Sequence, residues 1–191
     1  MKLRNLVLSM GVVAIAAGLS GCTEEEKVVS GISPQMMADN LHKVIDSDRT
    51  VYTKLIVGRL AAKEKVIKAD EHWEENKALV LPAQMLRYGS EMVQERNADF
   101  TYSLQSSWPI NKQNAPRTPM EKEGLKYIED NKGENFYGTE KLGDKSYFTA
   151  IYPDFAAVKV CVTCHNEHKD SPKVDFKMGD VMGGVVIRIP L

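Results

Sequence analysis

The sequence predicts an α+β domain in which helices pack beside an antiparallel sheet. Apolar residues recur at helical spacing in the first half of the chain, whereas from Phe100 onward they alternate with polar residues, as in half-buried strands. The predicted strands are grouped instead of alternating with helices, which is typical of antiparallel α+β domains and not of parallel sheets. With 191 residues, the chain is long enough for one domain with a hydrophobic core.

The individual elements follow from local signals. Ser33-Pro34 provides a cap and a first-turn proline for a long helix that is expected to reach about Ala69, and Pro82 begins a second helix. Three glycines, Gly179, Gly183 and Gly184, are expected to form tight turns before the last strand. The remaining elements are a strand over 100–105, a helix from the capping box at Thr118-Pro119-Met120-Glu121 to about Gly133, a hairpin of strands 135–141 and 145–152, and a closing strand over 185–189.

The N-terminus has the pattern of a bacterial lipoprotein signal. Lys2 and Arg4 precede an uncharged stretch, residues 6–19, which is shorter than the roughly 20 apolar residues of a membrane-spanning helix. Small residues then precede Cys22, which is the predicted lipidation site; the alternative is ordinary cleavage that leaves a free thiol. The expected product is an exported protein, lipid-anchored at the periplasmic face of a membrane. The predicted organisation is a signal peptide over 1–21, a linker over 22–34 and a folded domain over 35–191.

Charge and cysteine content narrow the class of protein. The chain has 25 basic and 26 acidic residues and a net charge of −1, so no basic surplus suggests a nucleic-acid partner. Of the three cysteines, Cys22 is assigned to lipid and the other two form a single motif. No disulfide framework is therefore expected.

The motif is Cys161-Val162-Thr163-Cys164-His165. Two thiols three positions apart on a helical turn can each add to a vinyl group of haem, and the histidine that follows can reach the iron from one face. The spacing therefore predicts one covalent haem c, with His165 as the proximal ligand. The alternatives are a zinc site completed by His168 and a redox dithiol.

A longer set of residues resembles the PAS-like periplasmic haem c domains of bacterial histidine kinases, cyclases and chemoreceptors, which also occur as free-standing proteins. The likeness extends over residues 52–191 and implies a PAS-like antiparallel sheet with an N-terminal long helix and flanking helices. Its residues are the run from Cys161 to His168, Ser171-Pro172, Gly179-Asp180-Val181-Met182-Gly183-Gly184, the loop from Trp108 to Asn114, and Tyr147-Phe148-Thr149-Ala150.

The distal iron ligand is not fixed by the motif. Met85, on the apolar face of the second helix, and His72, in an acidic segment, are the two candidates; a core methionine and a solvated histidine are the alternatives. His42 is expected on the exposed side of the long helix, and His168 as a loop or propionate contact. Arg87, Lys112 and Arg117 are candidate partners for the haem propionates.

The expected function is a haem-based redox or small-ligand sensing or binding module, with NO, CO or O2 as possible ligands. The alternatives are a membrane-tethered electron-transfer cytochrome, which would need a redox partner protein, and a haem oxidoreductase. No output domain follows the predicted sheet, so a sensor would depend on a partner to transmit its signal.

Overall fold

Helices and one four-stranded antiparallel sheet form the described part of the chain, residues 31–131 and 133–191 of a computed structural model. This confirms the predicted α+β class, while the predicted signal peptide, Cys22 and most of the linker lie outside the described residues. The elements are α1 (Pro34–Val51), a π-helical segment (Tyr52–Lys63), α2 (Pro82–Glu95), β1 (Thr101–Gln105), a 3-10 turn (Lys112–Asn114), α3 (Pro119–Asp130), β2 (Phe136–Leu142), β3 (Lys145–Phe155), α4 (Lys159–Glu167) and β4 (Val181–Pro190).

The first helical region begins as predicted and ends earlier. The Ser33 hydroxyl accepts a hydrogen bond from the Met36 N–H at 3.1 Å, and α1 then continues directly into the wider π-helical segment. This segment ends at Lys63, whereas the sequence predicted a helix to about Ala69. The reason is that Lys65 adopts a left-handed backbone with φ of 55°, which cannot continue a right-handed helix. Among the described residues, no helix is both long and apolar enough to span a bilayer.

The sheet has the strand order β1-β4-β3-β2 and is covered on both faces. One face packs against α1 and α2, with Val185 and Ile187 of β4 among its buried residues. The other face packs against α3, where Val186 of β4 and Ile151 of β3 are buried with Leu125. Because successive strand residues point to opposite faces, the continuous apolar run in β4 supplies both cores.

Two of the three glycines expected in turns lie inside β4 instead. A Cβ at Gly183 would be 2.4 Å from the backbone oxygen of Gln105, and one at Gly184 would be 2.9 Å from Ile128 and Ile151 side-chain atoms. These glycines are required for close packing, so their turn assignment was wrong. Gly179 does occupy a turn, with a positive φ of 85°.

Helix α1 is fixed across β3 by polar contacts. The Asp39 carboxylate accepts hydrogen bonds from the hydroxyls of Tyr152 at 2.7 Å and Tyr137 at 2.9 Å. Further along the helix, the Arg49 guanidinium donates to both carboxylate oxygens of Asp154, at 2.5 and 2.9 Å. Burial alone would lower the pKa of Arg49, but the adjacent Asp154 outweighs it and the pKa is raised. The two contacts hold α1 against the sheet near its N-terminus and near its C-terminus.

Helix α3 is fixed to the opposite face of the sheet through Glu121. One oxygen of this carboxylate accepts the Thr118 N–H at 2.9 Å, which completes the predicted capping box. The other accepts Gln105 Nε2 at 2.7 Å and Arg188 Nη2 at 2.6 Å. Burial alone would raise the pKa of Glu121, but these hydrogen bonds outweigh it, so the pKa lies below its ordinary value of 4.5.

Replacing Glu121 with glutamine should make stability depend less on pH. We expect Glu121→Gln to lower the free energy of unfolding at neutral pH by about 1.5–3 kcal/mol, because the amide loses hydrogen bonds made to a charged group. The folded-state pKa is depressed, so the carboxylate stabilises the fold fully above its unfolded pKa, and this contribution is lost as pH falls through the folded pKa. Urea unfolding should show the gap to wild type narrowing below about pH 4.5. A difference in unfolding free energy that stays constant into the acid range would contradict this role. The control is Glu123→Gln, an exposed site on the same helix.

The Arg49–Asp154 pair should behave as one energetic unit. We expect Asp154→Asn to cost about 2–3 kcal/mol, because it leaves a largely buried guanidinium without its counter-charge. The double variant Arg49→Met/Asp154→Leu should cost clearly less than Arg49→Met and Asp154→Leu added together. Denaturant unfolding of the four proteins in a double-mutant cycle measures this coupling. Strict additivity would mean that the two side chains do not interact in solution.

Candidate haem site

The Cys161–His165 motif lies on α4, within the connection between two adjacent strands. The last residue pair between β3 and β4 is Phe155 with Val181. The connecting segment, residues 156–180, therefore begins and ends at neighbouring positions on the sheet. Two backbone hydrogen bonds join the ends of this segment. The Ala156 N–H donates to the Asp180 carbonyl at 2.9 Å, and the Gly179 N–H donates to the Ala156 carbonyl at 3.2 Å. The position of α4 is therefore set by the sheet.

The two motif cysteines are free thiols one helical turn apart. Cys161 is half-buried and packs with Val162 against a small cluster of Ala156, Phe176 and Met182, whereas Cys164 is exposed. Although Cys164 is exposed as a residue, neighbouring protein atoms remove part of the water around its sulfur and raise the pKa of the thiol, and Cys161 adds to this effect. Both thiols are available for the attachment that the spacing predicts.

His165 is held by the chain segment that follows α4. The ring of Phe176 meets the imidazole edge-on, with centroids 5.9 Å apart. Asn166 fixes Phe176 in this place, because its side chain donates to the Phe176 carbonyl and accepts from the Phe176 N–H, both at 3.0 Å. Burial lowers the pKa of His165, with Asp154 opposing, which favours the neutral imidazole that binds metal ions. Its Nδ1 is buried and has no hydrogen-bond partner in the described part of the chain.

A cavity of about 370 Å³ separates the start of α4 from α1. Cys161 and Ala157 line one wall, and the end of β3 contributes Asp154. The volume falls within the range of small-molecule sites, about 300–1,000 Å³. The opposite wall belongs to the first helical region and is formed by His42, Asp46, Arg49, Thr50, Thr53 and Lys54.

His42 faces this cavity and not the solvent side of α1. Its ring lies flat on that of Tyr152, with centroids 4.0 Å apart and an angle of 9° between the planes. Burial lowers the pKa of His42 although Asp46, Asp154 and Asp39 act in the opposite direction. The expectation of an exposed His42 was wrong, because the aromatic surface of Tyr152 on β3 covers one face of the imidazole.

The two distal ligands predicted from the sequence lie elsewhere. Met85 lines a second cavity of about 270 Å³, together with Met92 and Tyr102, and the lining of that cavity contains no residue of α4. The His72 side chain is 68% exposed, with its ring nitrogens 3.6–3.7 Å from carboxylate oxygens of Glu71 and Glu75. Neither side chain lines the cavity that contains Cys161, and His165 does not line it either. Distal ligation by Met85 or His72 therefore stays a prediction.

His168 makes contacts of its own after the end of α4. Its Nε2 lies 3.7 Å from a Glu71 oxygen, and its Nδ1 accepts the Asp170 N–H at 3.1 Å. It thus contacts a neighbouring loop, one of the two roles expected for it. Within the described ranges, no three His, Cys, Asp or Glu side chains are grouped so as to hold a metal ion.

Arg49 is the residue of the site that sequence reasoning missed. Unlike Arg87, which pairs with Glu91 at the surface, Arg49 lines the cavity beside Cys161. Its Nε is buried and has no hydrogen-bond partner among residues 31–131 and 133–191, so this cation retains a donor for an anionic group. The signal in the sequence was the spacing of His42, Asp46, Arg49 and Thr53, which places polar side chains on one helical face.

These features fit the haem that the motif predicts. Two thiols and an imidazole stand on one short helix, and a cavity opens beside the first thiol. The unpartnered ring nitrogen of His165 and the unpartnered Nε of Arg49 are buried polar atoms, which normally have partners in a complete site. A haem propionate would supply an acceptor to the Arg49 Nε.

Comparison with a solved structure supports the fold. The crystal structure of the cyanobacterial haem protein Tll0287 matches with a TM-score of 0.51 and 14% sequence identity, over 83% of this chain and 96% of that one. At this identity the likeness concerns the fold alone. No curated protein of similar sequence was found.

The family model described as Tll0287-like matches residues 26–190. Together with the structural match, it confirms the family resemblance that the sequence indicated. Since the matched region covers most of the chain, the protein belongs to the Tll0287-like family.

Proposed function

We propose that this protein carries one covalent haem c at the cavity between α1 and α4. The observation that carries the proposal is that the two thiols and the histidine of the attachment motif stand on one short helix, with a cavity beside the first thiol, Cys161. The match to a haem protein of the same fold supports it.

The chain's own residues have distinct tasks in this site. Cys161 and Cys164 hold the group by thioether bonds, and His165 is the proximal iron ligand, oriented by Phe176 and the Asn166 clamp. Arg49 provides a buried cation for a propionate. When bound, haem would supply an iron that changes between ferrous and ferric states and that can take up small ligands.

The proposed location is the periplasmic face of a bacterial membrane. The support is the sequence before the domain, in which residues 6–19 are uncharged and are followed by small residues before Cys22. Lipid on Cys22 would tether the domain through the segment that leads to α1.

The proposed task is redox or small-ligand sensing or binding, with NO, CO or O2 as ligand classes. The support is the cavity itself, because it lies directly beside an attachment cysteine and is lined on the far side by side chains of α1. A ligand entering there would meet side chains whose positions depend on contacts with β3.

Electron transfer is the second candidate, and the exposure of Cys164 favours it. A thioether at an exposed cysteine places one edge of the haem near the surface, where a redox partner protein can approach. The membrane tether would serve this function as well.

The motif cysteines should decide haem attachment. In cells that perform periplasmic c-type haem maturation, wild type should show covalent haem by peroxidase staining of a denaturing gel and by a mass increase equal to one haem. Cys161→Ala/Cys164→Ala should lose both signals, because no thiol remains to add to the vinyl groups. The matched control is Cys22→Ala, which should keep the haem and lose the lipid. Haem retained covalently by the double variant would overturn the proposal.

Ligand binding should separate the two candidate functions. For a sensor, adding CO or NO to the ferrous protein should replace the resting absorption spectrum at micromolar ligand, because the ligand competes at the distal face. Stopped-flow mixing with CO measures this exchange. A spectrum that is unchanged under excess CO, together with fast electron exchange with a small periplasmic cytochrome, would contradict sensing and support electron transfer.

A further inference from the structure

We infer that Lys173 is a positioning residue for the proximal histidine. Its ammonium group lies over the rings of both Trp108 and Phe176 and holds Phe176 against the imidazole of His165. Since the proposed haem site assigns iron binding to His165, this role rests on that proposal. It also gives a task to Trp108, whose loop is part of the family resemblance and has no task in the proposed function.

Lys173 is more enclosed than most lysines. Its side chain is only 27% exposed, whereas lysine side chains are mostly exposed to water. The Nζ lies 5.2 Å from the ring centroid of Trp108 and 5.1 Å from that of Phe176. Both distances are within the roughly 6 Å over which a cation is attracted to an aromatic face, and the attraction grows as water is removed. The cation therefore ties Trp108 to Phe176.

Phe176 connects this cation to the haem-attachment helix. The residue is buried, and its ring meets that of Trp108 at a centroid distance of 5.8 Å and an angle of 77°. The same ring meets the imidazole of His165 at 5.9 Å and 90°. A shift of the Phe176 ring would therefore change the packing of His165.

The orientation of His165 depends on this packing. Metal-binding histidines usually donate the N–H of their second ring nitrogen to a carboxylate, a carbonyl or water, and that bond sets the orientation of the ring. In the described part of the chain, the buried Nδ1 of His165 has no such partner. The ring that packs against the imidazole, and the groups that hold that ring, are left to orient it.

Trp108 is itself anchored to the sheet. Its N–H donates to the Ser106 hydroxyl oxygen at 3.0 Å, and this hydroxyl donates to the Met182 carbonyl of β4 at 2.7 Å. The Ser106 N–H donates to the Asn114 carbonyl at 2.9 Å, which joins the two ends of the loop. The contact of Lys173 with Trp108 thus connects the segment after α4 to a fixed part of the fold.

The turn that carries Lys173 is also fixed. The Ser171 hydroxyl donates to the Lys173 carbonyl at 2.8 Å, and the Ser171 N–H donates to the His168 carbonyl at 3.0 Å. The Lys173 Nζ lies 2.6 Å from a carboxylate oxygen of Asp175, but the Asp175 side chain is 77% exposed. Ion pairs in contact with water contribute little, so we assign the placement of the ammonium to the two rings.

Nuclear magnetic resonance tests the packing without haem, in the full chain with Cys161→Ala/Cys164→Ala. The Phe176 ring should shift the carbon-bound ring protons of His165 away from their ordinary frequencies, because an aromatic ring generates a local magnetic field. Adding Lys173→Met, which keeps a long side chain and removes the charge, should cause most of this shift to be lost. Lys173→Arg should keep it, since a guanidinium also binds aromatic faces.

Matched controls identify the contact that matters. Asp175→Asn removes the ion pair and Lys177→Met removes an exposed lysine of the same segment, so both should keep the wild-type shift. Phe176→Leu should abolish the shift, which identifies its source. If Lys173→Met keeps the shift, or if Asp175→Asn loses it, the two rings and the cation do not position His165.

A second variant covers the case in which Lys173→Met does not fold. Circular dichroism and thermal melting report the folded state of each variant. Trp108→Leu keeps Lys173 and Phe176 and removes one of the two rings that bind the cation, so it should also reduce the shift of the His165 protons. A folded Trp108→Leu protein with an unchanged shift would contradict the role of Lys173.

Electron paramagnetic resonance of the ferric, haem-loaded protein tests the consequence for the iron ligand. Wild type, Lys173→Arg and Asp175→Asn should each show one narrow set of g-values. Lys173→Met should show a broadened or second set, because the imidazole of His165 is then free to adopt more than one orientation. A spectrum of Lys173→Met as narrow as that of wild type would overturn the positioning role.

Failure of the haem proposal is distinguishable from failure of this inference. If wild type carries no covalent haem on a denaturing gel, the haem site is wrong, and with it the role of Lys173 toward an iron ligand. If haem is attached and Lys173→Met changes neither the His165 proton shifts nor the g-values, only the role of Lys173 is overturned.

Discussion

The pairing of β3 with β4 is the constraint on which the site depends. These two strands are central in the sheet, and their facing residues are buried in both cores, for example Ile151 opposite Val186 and Tyr152 opposite Val185. Because the ladder extends to Phe155 and Val181, it also brings together the ends of the segment that carries α4. A helix with few interactions of its own thereby acquires a defined position beside α1.

The end of this ladder contains an irregularity that affects the cavity. The register shifts between Asp154, which pairs with Gly183, and Phe155, which pairs with Val181. Bulges of this kind bend a strand and change the direction of nearby side chains, and they are common beside functional sites. Here the side chain at the irregularity is Asp154, whose carboxylate holds Arg49 at the cavity wall.

At the interface of α1 with β3, side chains at helical spacing contact side chains at strand spacing. Residues 39, 42, 46, 49 and 53 lie on one stripe of the first helical region, at alternating steps of three and four. On the strand, Tyr152 and Asp154 are two positions apart and so face the same side. Asp39 and His42 therefore meet Tyr152, and Arg49 meets Asp154. The cavity lies beside these paired side chains.

The sequence was informative where the signal was local. The motif at Cys161–His165, the capping box at Thr118 and the hairpin strands depend on neighbouring residues, and the structure has a helix or strand at each of these places. Sequence reasoning failed where the partner is distant. Arg49 and Asp154 are 105 positions apart, and nothing near either residue indicates the other.

Ambiguous residue types account for the other differences. A glycine signals either a turn or a close approach, and at Gly183 the deciding atom is the carbonyl oxygen of Gln105 on another strand. His42 stands among polar residues, which is typical of an exposed helical face, and its burial depends on the ring of Tyr152 from β3. Met85 was expected on the apolar face of α2, but the residues of this helix that pack in the core are Leu86 and Val93, and Met85 lines a separate cavity that is set by tertiary packing.

The fixed ends of α1 limit how this helix can move against the sheet. Asp39 and Arg49, on either side of His42, are both bound to β3, so sliding the helix would break a bidentate ion pair and two tyrosine hydrogen bonds at once. Rotation of one imidazole off the face of Tyr152 breaks only an aromatic contact, worth about 0.5–1.5 kcal/mol. His42 can therefore change its orientation without displacing the helix.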